Sequence, residues 1–220
     1  MGIKVIITGT TGMVGEGVLL TCLEHPTVEQ VLSVSRKPYK LIHEKLKELI
    51  IPDFLQLQSV ENDLTGYDAC FFCAGVSAVG MKEADYRRMT YDTTLNFAKT
   101  LATLNPNMVF DYVSGQSTDS SGKGRMMWAR VKGETENALM KLPFNGVYNF
   151  RPGLMKPVPG QKNIKSIFRI LSTLYPLLHR LFPNSSGTLN EVGLAMINSV
   201  TVGYEKPILE VKDIRQLANK

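Results

Sequence analysis

The fold class follows from one stretch of the sequence, Thr8-Gly9-Thr10-Thr11-Gly12-Met13-Val14-Gly15. Its three glycines are spaced G-x-x-G-x-x-G and stand between an apolar run and a helical pattern. Gly9 permits a tight turn, Gly12 lets the backbone come close to a ligand, and Gly15 permits close packing of a helix on a strand. Because glycines also mark ordinary turns, the interpretation depends on the strand before this loop and the helix after it.

Short apolar runs alternate with longer helical stretches outward from this loop. The run at 4–8 shows no polar alternation, which is typical of a strand covered on both faces. The pattern predicts strands at 4–8, 30–35, 48–51, 67–75, 108–114, 146–151 and 207–211, and helices at 12–25, 40–47, 82–104, 126–142 and 190–200. This order indicates the α/β class with a doubly wound parallel sheet, the Rossmann fold.

The 220 residues suit one domain over 1–220, with a small C-terminal substrate-side subregion. Proline and glycine crowd residues 152–160, after which the pattern changes. We therefore interpret 154–220 as a substrate-side lid, formed by 154–185, followed by C-terminal elements. The apolar stretch 167–182 has an alternative interpretation as a membrane-surface segment, and the lid interpretation is favoured.

Composition limits the partners and the compartment. The net charge of +5 suits an anionic small ligand better than nucleic acid, since no interleaved basic and aromatic patch is present. No apolar stretch reaches the length of a membrane span. The odd number of cysteines (three) and the lack of a secretory leader predict a cytoplasmic protein. Oligomeric state is left open, with a homodimer or a protein partner as the options.

The glycine loop and the end of the second strand together predict the ligand. A helix N-terminus that follows such a loop offers N–H groups and a partial positive charge to a pyrophosphate. Where an NAD site would place an acid, this sequence has Arg36 and Lys37, which favours the 2′-phosphate of NADP(H) over NAD(H). The alternative for these two residues is a solvated basic turn. The loop residues assigned to the cofactor are Gly9, Thr11, Gly12, Met13, Val14 and Gly15.

Several motifs in this order resemble the extended and atypical short-chain dehydrogenase/reductases, particularly the NAD(P)H-binding, NmrA-like group. Besides the loop, they are Asp53-Phe54, Phe72-Cys73-Ala74-Gly75, Tyr112-Val113-Ser114-Gly115, Val131-Lys132-Gly133-Glu134 and Phe150-Arg151-Pro152-Gly153, which together cover about residues 3–155. The resemblance implies that Asp53 approaches the adenine, with a helix cap as the alternative. It also implies that Lys132 holds the nicotinamide ribose. The other cofactor-binding residues that it implies are Phe54, Ala74, Gly75, Pro152 and Gly153.

The catalytic motif of that family is incomplete here. The resemblance implies a tyrosine four residues before the helix lysine, and this sequence has Trp128 at that position. Positions i and i+4 share one helix face, so Trp128 is expected beside the nicotinamide, with a packing role as the alternative. An indole N–H donates a hydrogen bond but does not exchange a proton near neutral pH.

Other groups must then supply the acid if the protein is an enzyme. The candidates are Lys132, Ser114, Ser117, a water, and Tyr112 or Tyr148 at neighbouring strand ends, and the two serines are also the expected carbonyl partners. The leading hypothesis is an NADP(H)-dependent oxidoreductase acting on a small carbonyl or alcohol. The alternative is a non-catalytic NADP(H) sensor that acts through a protein partner, and an epimerase or dehydratase is less well supported.

No metal site is predicted. Cys70 and Cys73 have CxxC spacing, but they lie within a predicted strand, where side chains three apart point to opposite faces. The histidines His25, His43 and His179 lie in unrelated segments without metal-ligand spacing.

Overall fold

The computed structural model describes residues 2–164 and 174–220, and apolar runs within them form nine strands. The central strands are almost wholly buried, as the continuous apolar runs predict. The strands are β1 (Ile3–Thr8), β2 (Val28–Ser35), β3 (Leu46–Ile50), β4 (Ala69–Phe72), β5 (Val109–Val113), β6 (Gly146–Arg151), β7 (Leu154–Lys156), β8 (Ser186–Thr188) and β9 (Ile208–Glu210).

Seven of these strands form one parallel sheet in the order β3-β2-β1-β4-β5-β6-β9. The strand order reverses between β1 and β4, whose paired residues run from Val5–Ala69 to Thr8–Phe72. In such a sheet, the ligand crevice lies outside the carboxyl ends of the strands at this switch point. The predicted doubly wound fold is therefore confirmed, and the glycine loop leaves the sheet at the switch point.

Helices cover both faces of the sheet. Their bounds are α1 (Met13–Glu24), α2 (Glu83–Arg87), α3 (Thr93–Leu104), α4 (Met127–Leu139), α5 (Tyr175–Leu181), α6 (Leu189–Thr201) and α7 (Val211–Ala218), and a 3₁₀ helix spans Gln58–Leu64. A π-helical turn at Arg88–Asp92 joins α2 to α3, so the helix predicted at 82–104 is present with one widened turn. The helices at 12–25, 126–142 and 190–200 also match predictions to within a few residues.

The sheet separates two apolar clusters. An aliphatic cluster lies between the sheet and helices α1, α6 and α7, while an aromatic-rich cluster lies between the sheet and α3. Cys70 belongs to the aromatic cluster and Cys73 packs against the aliphatic one, so their side chains point to opposite faces as predicted. All three cysteines are free thiols, and burial raises the pKa of Cys22, Cys70 and Cys73.

The helix predicted at 40–47 is wrong. Residues 40–45 are irregular with a turn at 44–45, β3 begins at Leu46, and Lys40 has a φ of 62°, a left-handed value that a helix interior excludes. The Lys45 carbonyl accepts a bond from the Val31 N–H at 2.8 Å, which ties the segment to β2 instead. Pairing with the neighbouring strand outweighs the local helical pattern here.

The C-terminal elements contribute to the main core, and their predicted role as a substrate-side subregion stays a prediction. Helix α6 begins with a capping box between Thr188 and Glu191, and it packs closely on α1. The predicted strand at 207–211 appears as β9 and extends the sheet beyond β6. Strands β7 and β8 form a separate parallel pair. Part of the predicted lid, residues 165–173, lies outside the described residues.

One buried carboxyl in the sheet predicts an unusual pH dependence of stability. Asp111 on β5 is fully buried, which raises its pKa well above the ordinary value. The Ser199 hydroxyl lies 2.8 Å from Oδ2, and Oδ1 has no hydrogen-bond partner among the described residues. The folded chain therefore retains a proton that the unfolded chain loses, so this site destabilises the fold progressively as the pH rises above about 3.9.

We expect Asp111→Asn to raise the free energy of unfolding by ~1–3 kcal/mol near neutral pH, because an amide never ionises. The gain should vanish near pH 4 and grow by at most ~1.4 kcal/mol per pH unit above it. Urea denaturation at several pH values measures this slope. The exposed Asp63→Asn variant is the matched control, and a pH-independent difference between Asp111→Asn and the wild type would contradict the prediction.

Candidate dinucleotide-binding site

The glycine loop is shaped by two close backbone approaches. Gly9 has a φ of 72°, and a Cβ there would lie 2.8 Å from the backbone of Ala74. A Cβ on Gly15 would lie 2.3 Å from the carbonyl oxygen of Gly9, so only glycine lets α1 pack this tightly on the loop. The Ala74 N–H also donates to the Thr8 hydroxyl at 3.0 Å. These contacts join the ends of β1 and β4 at the switch point.

The first turn of α1 presents unsatisfied donors to the crevice. Gly12 provides no side-chain cap, and within residues 2–164 and 174–220 the N–H groups of Met13 and Val14 have no hydrogen-bond acceptor. A Cβ on Gly12 would meet only the Gly9 carbonyl, at 3.3 Å, so the space outside Gly12 is open. Free N–H groups at an open helix N-terminus are a binding site for phosphate groups. The loop therefore fits a dinucleotide pyrophosphate.

The basic pair lies beside this loop. Arg36 and Lys37 are exposed and directly follow β2, whose Val34 pairs with Thr8 at the end of β1. The Ser35 hydroxyl donates to the Lys37 carbonyl at 2.5 Å, which tightens the turn. Guanidinium groups bind phosphate through paired N–H groups, so this position suits an additional phosphate.

The residues predicted to contact adenosine have mixed environments. Asp53 is exposed, and its Oδ1 accepts from the Leu55 N–H at 2.9 Å within a turn. The next helix begins at Gln58, so the helix-cap alternative for Asp53 is wrong. Phe54 is buried, with its ring stacked on Phe97 at a centroid distance of 5.2 Å. Its side chain is therefore part of the core. Gly75 is exposed, with open space around the position of a Cβ.

Lys132 lies on α4 with its amine turned towards the end of β5. Nζ donates to the Ser114 carbonyl oxygen. Burial lowers the pKa of Lys132 to about 8, while the nearby Glu136 carboxylate acts in the opposite direction. Half-buried Trp128 is one turn earlier on the same helix face, as the i, i+4 spacing predicts. A lysine with this pKa exchanges protons near neutral pH.

The Ser114 hydroxyl is engaged in a buried network that the sequence did not reveal. It donates to Glu136 Oε1 at 2.6 Å, and Arg151 bonds both oxygens of that carboxylate, with Nε at 3.0 Å and Nη2 at 2.5 Å. Arg151 also reaches Glu210 on β9 at 3.2 Å. Glu136 is fully buried and follows Lys132 by one helical turn on the same face, which was the available signal. The Ser114 hydroxyl is thus part of the hydrogen-bond network of Glu136 and Arg151, next to Lys132.

The remaining predicted residues fall on the loop after β5 and on the segment after β6. Ser117 is exposed with a φ of 69°, so an exposed hydroxyl on a left-handed residue lies in the loop after the carboxyl end of β5. Gly153 packs against the next segment, where its Cβ would lie 2.2 Å from the Ser185 carbonyl. The Pro152 carbonyl accepts from the Gln116 N–H at 3.0 Å. These contacts bring the segments after β5 and β6 together.

Two tyrosines considered as replacement acids are placed elsewhere. Tyr112 is buried in the aromatic cluster, and burial raises its pKa well above the ordinary value. The Tyr148 hydroxyl accepts from the Tyr204 N–H at 3.1 Å, away from Lys132. Neither hydroxyl bonds to Lys132 among the described residues, and their suggested role as replacement acids stays a prediction.

Neither a metal-ion cluster nor a membrane-spanning helix occurs in the described part of the chain. Among residues 2–164 and 174–220, no group of three or more His, Cys, Asp or Glu side chains is arranged to hold a metal ion. Over the same residues, no helix has both the length and the apolar character needed to cross a membrane.

A glycine loop with free N–H groups at the switch point of a doubly wound sheet defines a dinucleotide-binding protein. The sequence profile described as "NAD dependent epimerase/dehydratase family" matches residues 5–128. The chain therefore belongs to the NAD-dependent epimerase/dehydratase family, and the resemblance to extended short-chain dehydrogenase/reductases is confirmed at that level.

Two individual relatives match the chain at low sequence identity. "Protein fmp52, mitochondrial" of Emericella nidulans is 28% identical over 159 residues, which cover 69% of this chain and 66% of that protein. "Protein HTATIP2" of Rattus norvegicus is 26% identical over 154 residues, which cover 69% of this chain and 62% of that protein. The matched regions thus span less than two thirds of either relative, and the NmrA-like placement stays a prediction.

Solved structures confirm the fold. A glucuronic acid dehydrogenase from Chromohalobacter salexigens superimposes with a TM-score of 0.69 at 13% identity, covering 95% of this chain and 76% of that one. A short chain dehydrogenase from Burkholderia cenocepacia J2315, in complex with NADP, gives a TM-score of 0.66 at 15% identity, covering 98% and 92%. At such identities, the likeness is one of architecture.

Proposed function

We propose that the protein is an NADP(H)-dependent oxidoreductase of the atypical short-chain type, acting on a small carbonyl or alcohol, with Lys132 in place of the missing tyrosine as acid and base. The observation that carries this proposal is the Lys132 amine, which lies at the end of β5 with a pKa of about 8. General acids work best when their pKa lies near the operating pH.

The cofactor would be held by three parts of the crevice edge. The open first turn of α1 would bind the pyrophosphate, and Arg36 with Lys37 would bind the 2′-phosphate that distinguishes NADP(H). Asp53 and Gly75 would border the adenosine, and Lys132 would also contact the nicotinamide ribose. The three free thiols fit a reducing compartment such as the cytoplasm.

The protein's own groups would manage the proton and the substrate oxygen. When bound, the nicotinamide supplies or accepts the hydride. During reduction, the Lys132 ammonium would give one proton to the carbonyl oxygen, and solvent would then reprotonate the amine. The exposed Ser117 hydroxyl would orient the substrate oxygen, since the Ser114 hydroxyl is held by Glu136. The Trp128 indole N–H would donate a hydrogen bond to the same oxygen without exchanging a proton.

This mechanism predicts opposite pH profiles for the two directions. Carbonyl reduction needs the Lys132 ammonium, so its rate should fall about tenfold per pH unit above a midpoint near pH 8. Alcohol oxidation needs the free amine and should rise through the same midpoint. Initial rates with a panel of aldehydes, ketones and alcohols, measured by NADPH absorbance from about pH 6 to about pH 10, would check this.

Lys132→Met is the corresponding variant, and Lys141→Met, an exposed lysine just beyond α4, is its control. We expect Lys132→Met to lose ~10²-fold or more of the rate at saturating NADPH, and Lys141→Met to keep it. Flat pH profiles in the wild type, or an active Lys132→Met enzyme, would remove Lys132 from the proton path.

Restoring the family's tyrosine tests the position of Trp128. We expect Trp128→Tyr to raise carbonyl reduction by about tenfold or more, since a phenol beside the lysine amine exchanges a proton and the indole does not. Turnover of the best substrate from the panel is the measurement, with circular dichroism to verify folding. Equal or lower activity in a folded variant would mean that residue 128 does not face the reacting oxygen.

A second candidate function is a non-catalytic NADP(H) sensor that acts through a protein partner. It is favoured by the loss of both usual catalytic side chains, since Trp128 replaces the tyrosine and Glu136 engages the Ser114 hydroxyl. Tight NADPH binding with no turnover of any carbonyl or alcohol, together with a partner that binds only in the presence of NADPH, would identify this function. Turnover that depends on Lys132 would identify the enzyme.

A further inference from the structure

A single buried carboxylate connects the two chain segments beside the first turn of α1. Glu16 directly follows Gly15 and is fully buried. Its Oε1 accepts from the Tyr39 hydroxyl and from the Lys162 N–H, both at 2.8 Å, and its Oε2 accepts from the Asn163 N–H at 2.7 Å. A buried carboxylate is costly unless its oxygens are satisfied, so these three bonds are strongly favoured together.

On one side, Glu16 fixes the loop that follows β2. Arg36 and Lys37 begin this loop, which runs to residue 45, and Tyr39 lies two residues after Lys37. Besides its hydroxyl bond to Glu16, Tyr39 donates its backbone N–H to Glu48 Oε1 at 2.6 Å. Its ring also packs against the aliphatic cluster. The loop that carries the two exposed cations is therefore held two residues beyond them, by one bond from the side chain and one from the main chain of Tyr39.

On the other side, Glu16 fixes the segment 158–163, which follows β7. The Gln161 amide donates to the Met13 carbonyl at 2.8 Å, and its oxygen accepts from the Val158 N–H at 2.7 Å. With the bonds from Lys162 and Asn163 to Glu16, this segment runs across the first turn of α1. That turn is the one with free N–H groups pointing into the crevice.

We propose that Glu16 and Tyr39 are positioning residues that set the preference for NADP(H), by holding the Arg36–Lys37 loop in a shape ready for the 2′-phosphate. This inference rests on the proposed function, in which those two cations bind that phosphate. A loop ordered before binding loses less entropy when the ligand arrives, so pre-ordering favours the ligand that the loop contacts. NADH lacks the 2′-phosphate and gains nothing from the loop.

The test compares affinities for NADPH and NADH by calorimetry in Tyr39→Phe, which removes one hydroxyl and keeps the ring. We expect the NADPH dissociation constant to rise ~3- to 10-fold, with that of NADH changed less than about twofold. A merely structural role would weaken both equally and leave their ratio unchanged. Tyr67→Phe is the matched control, since its hydroxyl bonds to Gln30 at 3.0 Å, away from the crevice.

Glu16→Gln tests the shared anchor by an independent readout. Its NH2 group replaces one of the two carboxylate oxygens and so opposes the N–H of Asn163 or that of Lys162. At least one of these two amides should therefore exchange with solvent at least about tenfold faster, as should the amide of Tyr39 in the loosened loop. Unchanged exchange at all three amides in a folded Glu16→Gln protein would overturn the inference.

Arg36→Ala separates this inference from the proposed function. If Arg36→Ala abolishes the preference for NADPH while Tyr39→Phe leaves the NADPH-to-NADH ratio intact, the positioning role is overturned and the cofactor assignment stands. If Arg36→Ala leaves the ratio unchanged, or the wild type does not prefer NADPH, both are overturned. If Arg36→Ala and Tyr39→Phe both reduce the preference for NADPH over NADH, and Tyr67→Phe keeps it, the positioning role and the cofactor assignment are both supported.

Discussion

Gly12→Ala is expected to abolish dinucleotide binding in a protein that remains folded, whereas Gly15→Ala is expected to disrupt the fold itself. A Cβ on Gly12 meets only one atom, the Gly9 carbonyl oxygen at 3.3 Å, so a small backbone shift accommodates the methyl group. That methyl group would, however, fill the space outside the loop where a phosphate must approach the backbone. We expect an increase of ~10²-fold or more in the dissociation constant of NADPH.

A methyl group at Gly15 has no comparable space. It would lie 2.3 Å from the Gly9 carbonyl oxygen and 2.9 Å from the Thr10 nitrogen, and neither backbone atom can turn away as a side chain can. Separating α1 from the loop should cost ~3 kcal/mol or more. Urea denaturation and calorimetry on the two variants check the contrast. A Gly15→Ala protein as stable as the wild type would contradict the packing described for α1.

The second large effect is expected at the ion pair beneath Lys132. Arg151→Met leaves the fully buried Glu136 carboxylate without its charged partner, which should lower the free energy of unfolding by ~3–5 kcal/mol at neutral pH. Arg87→Met is the control, because the pair of Arg87 and Glu134 is about 40% exposed on both sides (41% and 39%). Exposed pairs contribute ~0–1 kcal/mol.

A double variant distinguishes loss of the pair from loss of packing. Replacing Glu136 as well, as Glu136→Gln with Arg151→Met, removes the unpaired charge, and we expect it to recover most of the lost stability. Denaturation midpoints of the two single variants and the double variant give the coupling energy directly. Strictly additive effects would mean that the two side chains contribute independently, in conflict with the paired hydrogen bonds of the structure.

Much of the fold was predictable because the buried strands carry continuous apolar runs. The strand over 146–151 and the helix over 82–104 were predicted with almost their observed bounds. A helix was predicted at 40–47, where the chain in fact forms an irregular segment leading into β3. The polarity pattern says nothing of the bond that the Lys45 carbonyl makes with β2. The three-residue strands β7 and β8 are too short for a periodic pattern, and α7 was missed although Glu210 and Asp213 form a capping box.

The parts of the site that one continuous stretch of sequence forms were predictable. The parts that the fold brings together from distant stretches were not. The glycine loop is a local motif, so its geometry follows from its sequence. The bond between Glu136 and Arg151 depends on helix α4 lying beside the end of β6, which no local pattern reports. For the same reason, Ser114 was expected to offer its hydroxyl to a substrate, whereas its carbonyl faces Lys132 and its hydroxyl faces inward.

The position of β9 bears on how the molecule reaches its native state during synthesis. Strand β6 pairs with β5 on one side and with β9 on the other, yet β9 is translated after every other strand of the sheet. Until then β6 is an open edge, with unpaired main-chain groups of the kind that recruit a strand from another molecule. At that stage Arg151, at the end of β6, can form its ion pair with Glu136 but not yet the one with Glu210. A nascent chain would therefore carry a charged residue at its open edge, which opposes aggregation before the sheet is complete.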